Sequence, residues 1–124
     1  MIVRERRAWR MFVESFTHGP YRITQEHVGA VLRHWDFLEA RFVMGSVDLH
    51  PPVTQVLNEN VSMVWNTKTR VFELEVAPDG KIYWFYRNRM SREIAGTEDE
   101  GEVEVSEEAV KRLRSVLQVF KRTR

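Results

Sequence analysis

The chain reads as an α+β domain with two N-terminal helices, a three- to four-stranded antiparallel meander and a C-terminal helix. Three observations predict it. Residues 70–87, RVFELEVAPDGKIYWFYR, carry the pattern of a hairpin around a Pro-Asp-Gly turn; apolar residues recur at helical spacing before residue 43; and a capped amphipathic run opens at Ser106.

In the N-terminal region, Ala8, Trp9, Phe12, Val13 and Phe16 fall on one side of a helix over residues 3–16. His18-Gly19-Pro20 interrupts it. Thr24 then caps a second helix whose apolar face is Val28, Val31, Leu32, Trp35, Leu38 and Phe42, and Gly45 with Ser46 ends it. Pro51-Pro52 forces an extended chain towards the sheet, since each ring fixes φ and disfavours helix in the residue before it.

Val61, Met63 and Trp65 alternate with their neighbours, so 61–66 reads as a strand that turns through Asn66, Thr67 and Lys68 into 69–77. With a tight turn, Met63 meets Phe72 and Val61 meets Leu74. In the hairpin that follows, Pro78 fixes φ, Asp79 bonds to the local backbone and Gly80 takes a positive φ. If Ala77 faces Lys81, the pairs are Val76 with Ile82, Glu75 with Tyr83, Leu74 with Trp84, Glu73 with Phe85, Phe72 with Tyr86 and Val71 with Arg87. Alternation sends Phe72, Leu74, Val76, Ile82, Trp84 and Tyr86 to the core, and Val71, Glu73, Glu75, Lys81, Tyr83, Phe85 and Arg87 to the other face. A short fourth strand follows around Arg92 to Gly96.

The last helix has Ser106 as its cap, Glu107 and Glu108 at its positive end, and a stripe of Ala109, Val110, Leu113, Val116, Leu117 and Phe120. At 124 residues the chain matches one domain, residues 1–124, large enough to bury a core without staples. The absence of cysteine excludes disulfides, thiol catalysis and cysteine-ligated zinc, and makes a reducing cytoplasm the expected location. No secretory signal and no apolar run of the ~20 residues needed for a membrane span is visible.

The net charge of +1 hides segregation: Lys111, Arg112, Arg114, Lys121, Arg122 and Arg124 follow the acidic stretch of Glu98, Asp99, Glu100, Glu102 and Glu104. Solvated surface and helix-end complementarity explain both blocks without a ligand. Arg4, Arg6, Arg7 and Arg10 form a second basic group.

Catalytic and metal patterns are not found. His27 and His34 are seven residues apart on the second helix, about 10 Å along its axis, too far to share a metal, and read as surface or helix-edge residues. His18 and His50 fall in turns. Glu73 and Glu75 project from one face about 7 Å apart, a spacing that overlaps that of glycosidase carboxylates. Catalysis also requires a cleft that raises one pKa; on a solvated strand near Lys81 and Arg87 both carboxylates are expected to stay ionised. The six glycines are scattered through turns, and no nucleophile triad or phosphate-binding loop occurs. No cofactor is expected.

Tyr83, Phe85, Arg87 and Arg89 raise the question of base stacking, but the RNA-recognition signature is missing and Glu73 and Glu75 would repel a phosphate backbone. Two other arrangements fit these aromatics: cover by the N-terminal helix, or an open face that meets a protein partner or a second copy of the chain.

From Trp65 to Glu98, the tryptophan, the LEVAPDGK strand and turn, the aromatic run IYWFYRNR and REIAGTE resemble segments of small uncharacterised bacterial and mobile-element proteins. The resemblance covers about a quarter of the chain and implies a prokaryotic or phage accessory protein; it carries no functional residues. The expected function is a non-enzymatic protein-interaction module of antitoxin, immunity, inhibitor or adaptor type. Its contact residues would be Glu73, Glu75, Tyr83, Phe85 and Arg87. The competing expectation is a nucleic-acid-binding accessory domain using Arg4, Arg6, Arg7, Arg10, Lys111, Arg114 and Lys121.

Overall fold

The first helix, α1 (Val3–Glu14), runs into a 3-10 turn (Ser15–His18), and the second, α2 (Gln25–Met44), starts at Thr24, whose hydroxyl accepts from the His27 amide at 3.0 Å. The computed structural model describes residues 3–20, 23–45 and 47–123, and the side chains of 5–20, 23–45 and 47–118. Strands β1 (Val53–Leu57), β2 (Asn60–Asn66), β3 (Arg70–Val76), β4 (Ile82–Asn88) and β5 (Glu93–Gly96) precede α3 (Glu107–Thr123). Ser106 caps α3 by accepting from the Ala109 amide at 3.2 Å.

The five strands form one antiparallel sheet in the order β1-β2-β3-β4-β5. The sequence predicts three to four; the extra one is β1, which extends the chain after Pro51-Pro52 into a hairpin with β2. The β3–β4 pairs are those the Pro-Asp-Gly turn predicts, from Val76 with Ile82 to Val71 with Arg87. Ala77 and Lys81 close the turn through a 2.9 Å backbone bond, and Gly80 has φ +89°. The β2–β3 register differs from the expectation by two residues: Met63 faces Leu74 and Val61 faces Val76. The cause is a longer connection, in which the Thr67 amide donates to the Arg70 carbonyl at 2.7 Å and Thr69 stays in the loop. A shift of two preserves the faces, so the core set is unchanged.

Three rows of side chains cross the core face: Val56, Val61, Val76 and Ile82; Thr54, Met63, Leu74 and Trp84; Trp65, Phe72, Tyr86 and Ala95. They pack with Trp9, Val13 and Phe16 of the N-terminal segment, Val28, Val31, Trp35, Leu38 and Phe42 of α2, and Ala109, Val110, Leu113, Val116 and Leu117 of α3. Ala8 and Phe12 turn outward instead, while Trp9 and Val13 of α1 and Phe16 of the 3-10 turn are buried. Phe120 and Ser46 lie outside the residues whose side chains are described.

His27 and His34 are buried, at 2% and 4% exposure, and not on the surface. The ring Nε2 of His27 lies 2.7 Å from the Val76 carbonyl oxygen, and that of His34 lies 3.1 Å from the Gly80 carbonyl oxygen. As N–H donors they tie α2 to the end of the β3–β4 hairpin, bonding carbonyls of which that of Val76 also faces Val61 across the β2–β3 ladder. His34 titrates below its ordinary value, mainly because burial disfavours its charged form; Arg33 lowers it further, while the Gly80 carbonyl and Glu104 raise it. Trp9 donates to Thr54 Oγ1 at 2.8 Å and packs at 4.6 Å on Trp35, which holds α1 on the core side of β1.

Candidate functional site

Because α1, α2 and α3 all pack into the one core, the opposite face of the sheet carries no helix among the described residues. Its side chains also run in rows: Gln55, Ser62, Glu75 and Tyr83; Val53, Val64, Glu73, Phe85 and Gly96; Asn66, Val71, Arg87 and Ile94. Glu73 thus sits between Val64 and Phe85 at the centre of the face. The expectation that the N-terminal helix covers Tyr83 and Phe85 is overturned, since α1 lies on the other side, over β1 and α2.

Phe85 is 41% exposed and Val53 71%, with Leu57 and Ile94 also open. Tyr83 is half-buried, because the acidic loop after β5 returns to the β4 edge: Glu102 and Ile82 exchange backbone bonds of 2.8 Å. Gly101 of that loop has φ +73°, and a Cβ there would fall 2.9 Å from Cζ of the tyrosine ring. Tyr83 therefore forms the wall of the face against the loop, while Phe85 is its open apolar element.

Ser62, although on the outer face, is fully buried at 0% exposure and donates to Glu73 Oε1 at 3.3 Å. Asn60 Nδ2 donates to Glu75 Oε2 at 3.2 Å. Among the described residues neither carboxylate is paired with a cation; Arg87, one row away, stays exposed. Burial raises the Glu73 carboxyl above its ordinary value, a hydrogen bond to Glu75 and repulsion by it raise it further, and the Ser62 bond opposes the change. The expectation that both groups stay ionised as on a solvated strand therefore does not hold for Glu73. A raised carboxyl pKa suits a general acid, yet this pair lies on an open sheet surface, with no enclosing cleft or facing nucleophile among the described residues.

Of the residues of the nucleic-acid expectation, Arg6, Arg7 and Arg10 line one cavity with Met11, Glu14 and Glu39, while Lys111 and Arg114 lie on α3. Arg6 pairs with Glu39 at 3.5 Å and Asp48 at 3.8 Å, and Arg10 with Asp36 at 2.6 Å. Arg114 lies over the Phe42 ring with its Cζ 5.6 Å from the centroid. Arg7 and Lys111 are exposed on different helices, and the side chains of Arg4 and Lys121 are outside the described set. Arg112 is held by Glu93 at 2.7 Å and Glu108 at 2.8 Å. Intramolecular carboxylates thus neutralise Arg6 and Arg10 of that set, and Arg112 beside it.

Residues 96–102 line a cavity of about 480 Å³ beside the same edge. Among the described residues, no group of three or more histidines and carboxylates is arranged to hold a metal ion. No helix of the described residues is long and apolar enough to cross a membrane. Compared with protein-family models, curated proteins and solved structures, the chain matches none of them.

Proposed function

We propose that this protein is a non-enzymatic interaction module, of antitoxin, immunity, inhibitor or adaptor type, that binds a protein partner through the outer face of its sheet. The observation that carries this reading is the Glu73–Glu75 pair, set among Val64, Val71 and Phe85 on a face where, among the described residues, no cation pairs with it and no helix covers it. Desolvating one carboxylate beside another disfavours the charged state. A lysine or arginine from a partner would relieve that repulsion, and Val64, Phe85 and Val53 would exclude water around the new pair. The fitting partner therefore presents a basic side chain ringed by apolar ones. Tyr83 walls one side, and Arg87 stands at the rim for a partner's acid.

The test compares affinity capture from the host, after nuclease treatment, by wild type and by the Glu73→Gln/Glu75→Gln variant. Loss of one buried charge pair is expected to weaken retention of a stoichiometric partner by at least about tenfold. Retention equal to wild type would remove the carboxylates from the interface. Nucleic acid bound by wild type and released by salt would favour the basic helices instead.

A further inference from the structure

We propose that β1 pairs with β1 of a second copy of this chain, antiparallel and centred on Gln55, to join two five-stranded sheets edge to edge. The two edges of the sheet are built differently. β5 is four residues long, starts at Glu93 bound to Arg112, and is followed by a loop that takes the next place along β4 through Glu102. Gly96 is pressed against that strand, where a Cβ would meet the Trp84 carbonyl oxygen at 2.7 Å. Such short, charged and covered edges resist strand addition.

β1 has none of these protections. Its five residues, Val-Thr-Gln-Val-Leu, contain no charge, proline or glycine, and they pair with β2 in unbroken register from Val53–Val64 to Leu57–Asn60. Asn58 and Glu59, with φ of 49° and 73°, make the two-residue turn that places Leu57 and Asn60 in a hydrogen-bonded pair. Counting back by twos, the backbone groups of Leu57, Gln55 and Val53 point to β2, so those of Thr54 and Val56 point out of the sheet.

The edge is also complementary to itself. With Gln55 on the twofold axis, Thr54 and the partner's Val56 exchange both backbone bonds, as do Val56 and the partner's Thr54. On the outer face Val53 meets the partner's Leu57, covering apolar side chains that are now open to water. Between them the two Gln55 amides face each other and can bond. On α1, which packs beside β1 through Trp9, Arg6 and Arg10 are already paired with Glu39, Asp48 and Asp36, which reduces like-charge repulsion between two copies. A contact this short belongs to the weak, concentration-dependent class of interface. It shares Val53 with the rim of the proposed partner surface but does not depend on that reading.

Sedimentation velocity of the full chain from about 5 to about 500 µM is the test, with amide exchange measured at both ends of the range. The wild type should move towards twice the monomer mass, and the Thr54 and Val56 amides should gain protection as it does. Gln55→Lys and Gln55→Glu, made at an exposed side chain, should each keep the wild-type fold by circular dichroism and remain monomeric. An equimolar mixture of the two should recover the dimer, since the opposite charges then face each other across the axis. A wild type that stays monomeric, a dimer indifferent to Gln55→Lys, or a mixture that fails to associate would each overturn the proposal. Protection of Thr54 and Val56 only when another protein is bound would assign the edge to a foreign strand and overturn it as well.

Discussion

Glu73 works against the fold at neutral pH. Its folded pKa lies above the ordinary 4.5, so its stabilising contribution is complete below that value and is lost as pH rises through the folded pKa. Glu73→Gln is expected to raise Tm by about 2 °C near pH 7, the scale of a surface substitution, and to match wild type near pH 4. His34 has the opposite sign. Its folded pKa is below 6.5, so the stability it contributes is complete above 6.5 and falls as pH drops through the folded value. Urea midpoints for His34→Gln should therefore decline less than those of wild type between about pH 7 and pH 5. Parallel declines would show that another group controls the acid limb. The sequence does contain the signal for both buried histidines: His27 and His34 fall on the α2 stripe of Val31, Trp35 and Leu38. Residue type alone suggests surface, and the carbonyls of Val76 and Gly80 at the hairpin end, a tertiary feature, supply the partners that let them lie inside.

Among the elements, the β3–β4 hairpin is fully legible because its turn has proline, aspartate and glycine at the positions the backbone demands, and the register follows pair by pair. β1 is hidden for two physical reasons. Its apolar alternation is inverted, with Val53 and Leu57 facing out and Thr54 facing in, and its turn uses Asn58-Glu59 where glycine is the usual marker of positive φ. The β2–β3 connection likewise lacks glycine and proline, which leaves its length unspecified within residues 66–70. Glu59 at φ 73° carries a cost that glycine avoids. Glu59→Gly is expected to stabilise the protein by about 0.5–1 kcal/mol in urea unfolding, with an unchanged m-value. A loss of stability would mean that the Glu59 side chain supports the turn.

For the whole molecule, packing all three helices into one core leaves a two-layer fold with one sheet face and one strand edge uncovered among the described residues. Alternation along the strands was enough to assign Glu73, Glu75, Tyr83, Phe85 and Arg87 to the open face. Whether α1 would cover that face depends on the path through residues 15–24, and local pattern does not specify it. Nor does the sequence order show that Ser62 and Asn60 lie under the two carboxylates, since those contacts arise from the β2–β3 register. The acidic pair on that face, whose Glu73 carboxyl is raised by burial and by Glu75, is the feature on which the proposed binding role rests.

Site-specific photo-crosslinking in the host tests the docking face most directly, with a photoreactive residue in place of Phe85 and, as the comparison, in place of Lys111 on the helical side. A discrete protein adduct from position 85, absent from position 111 and lost when Glu73→Gln and Glu75→Gln are added, is the expected result. Adducts to nucleic acid, or the same protein captured equally from both positions, would contradict a binding face on the outer sheet.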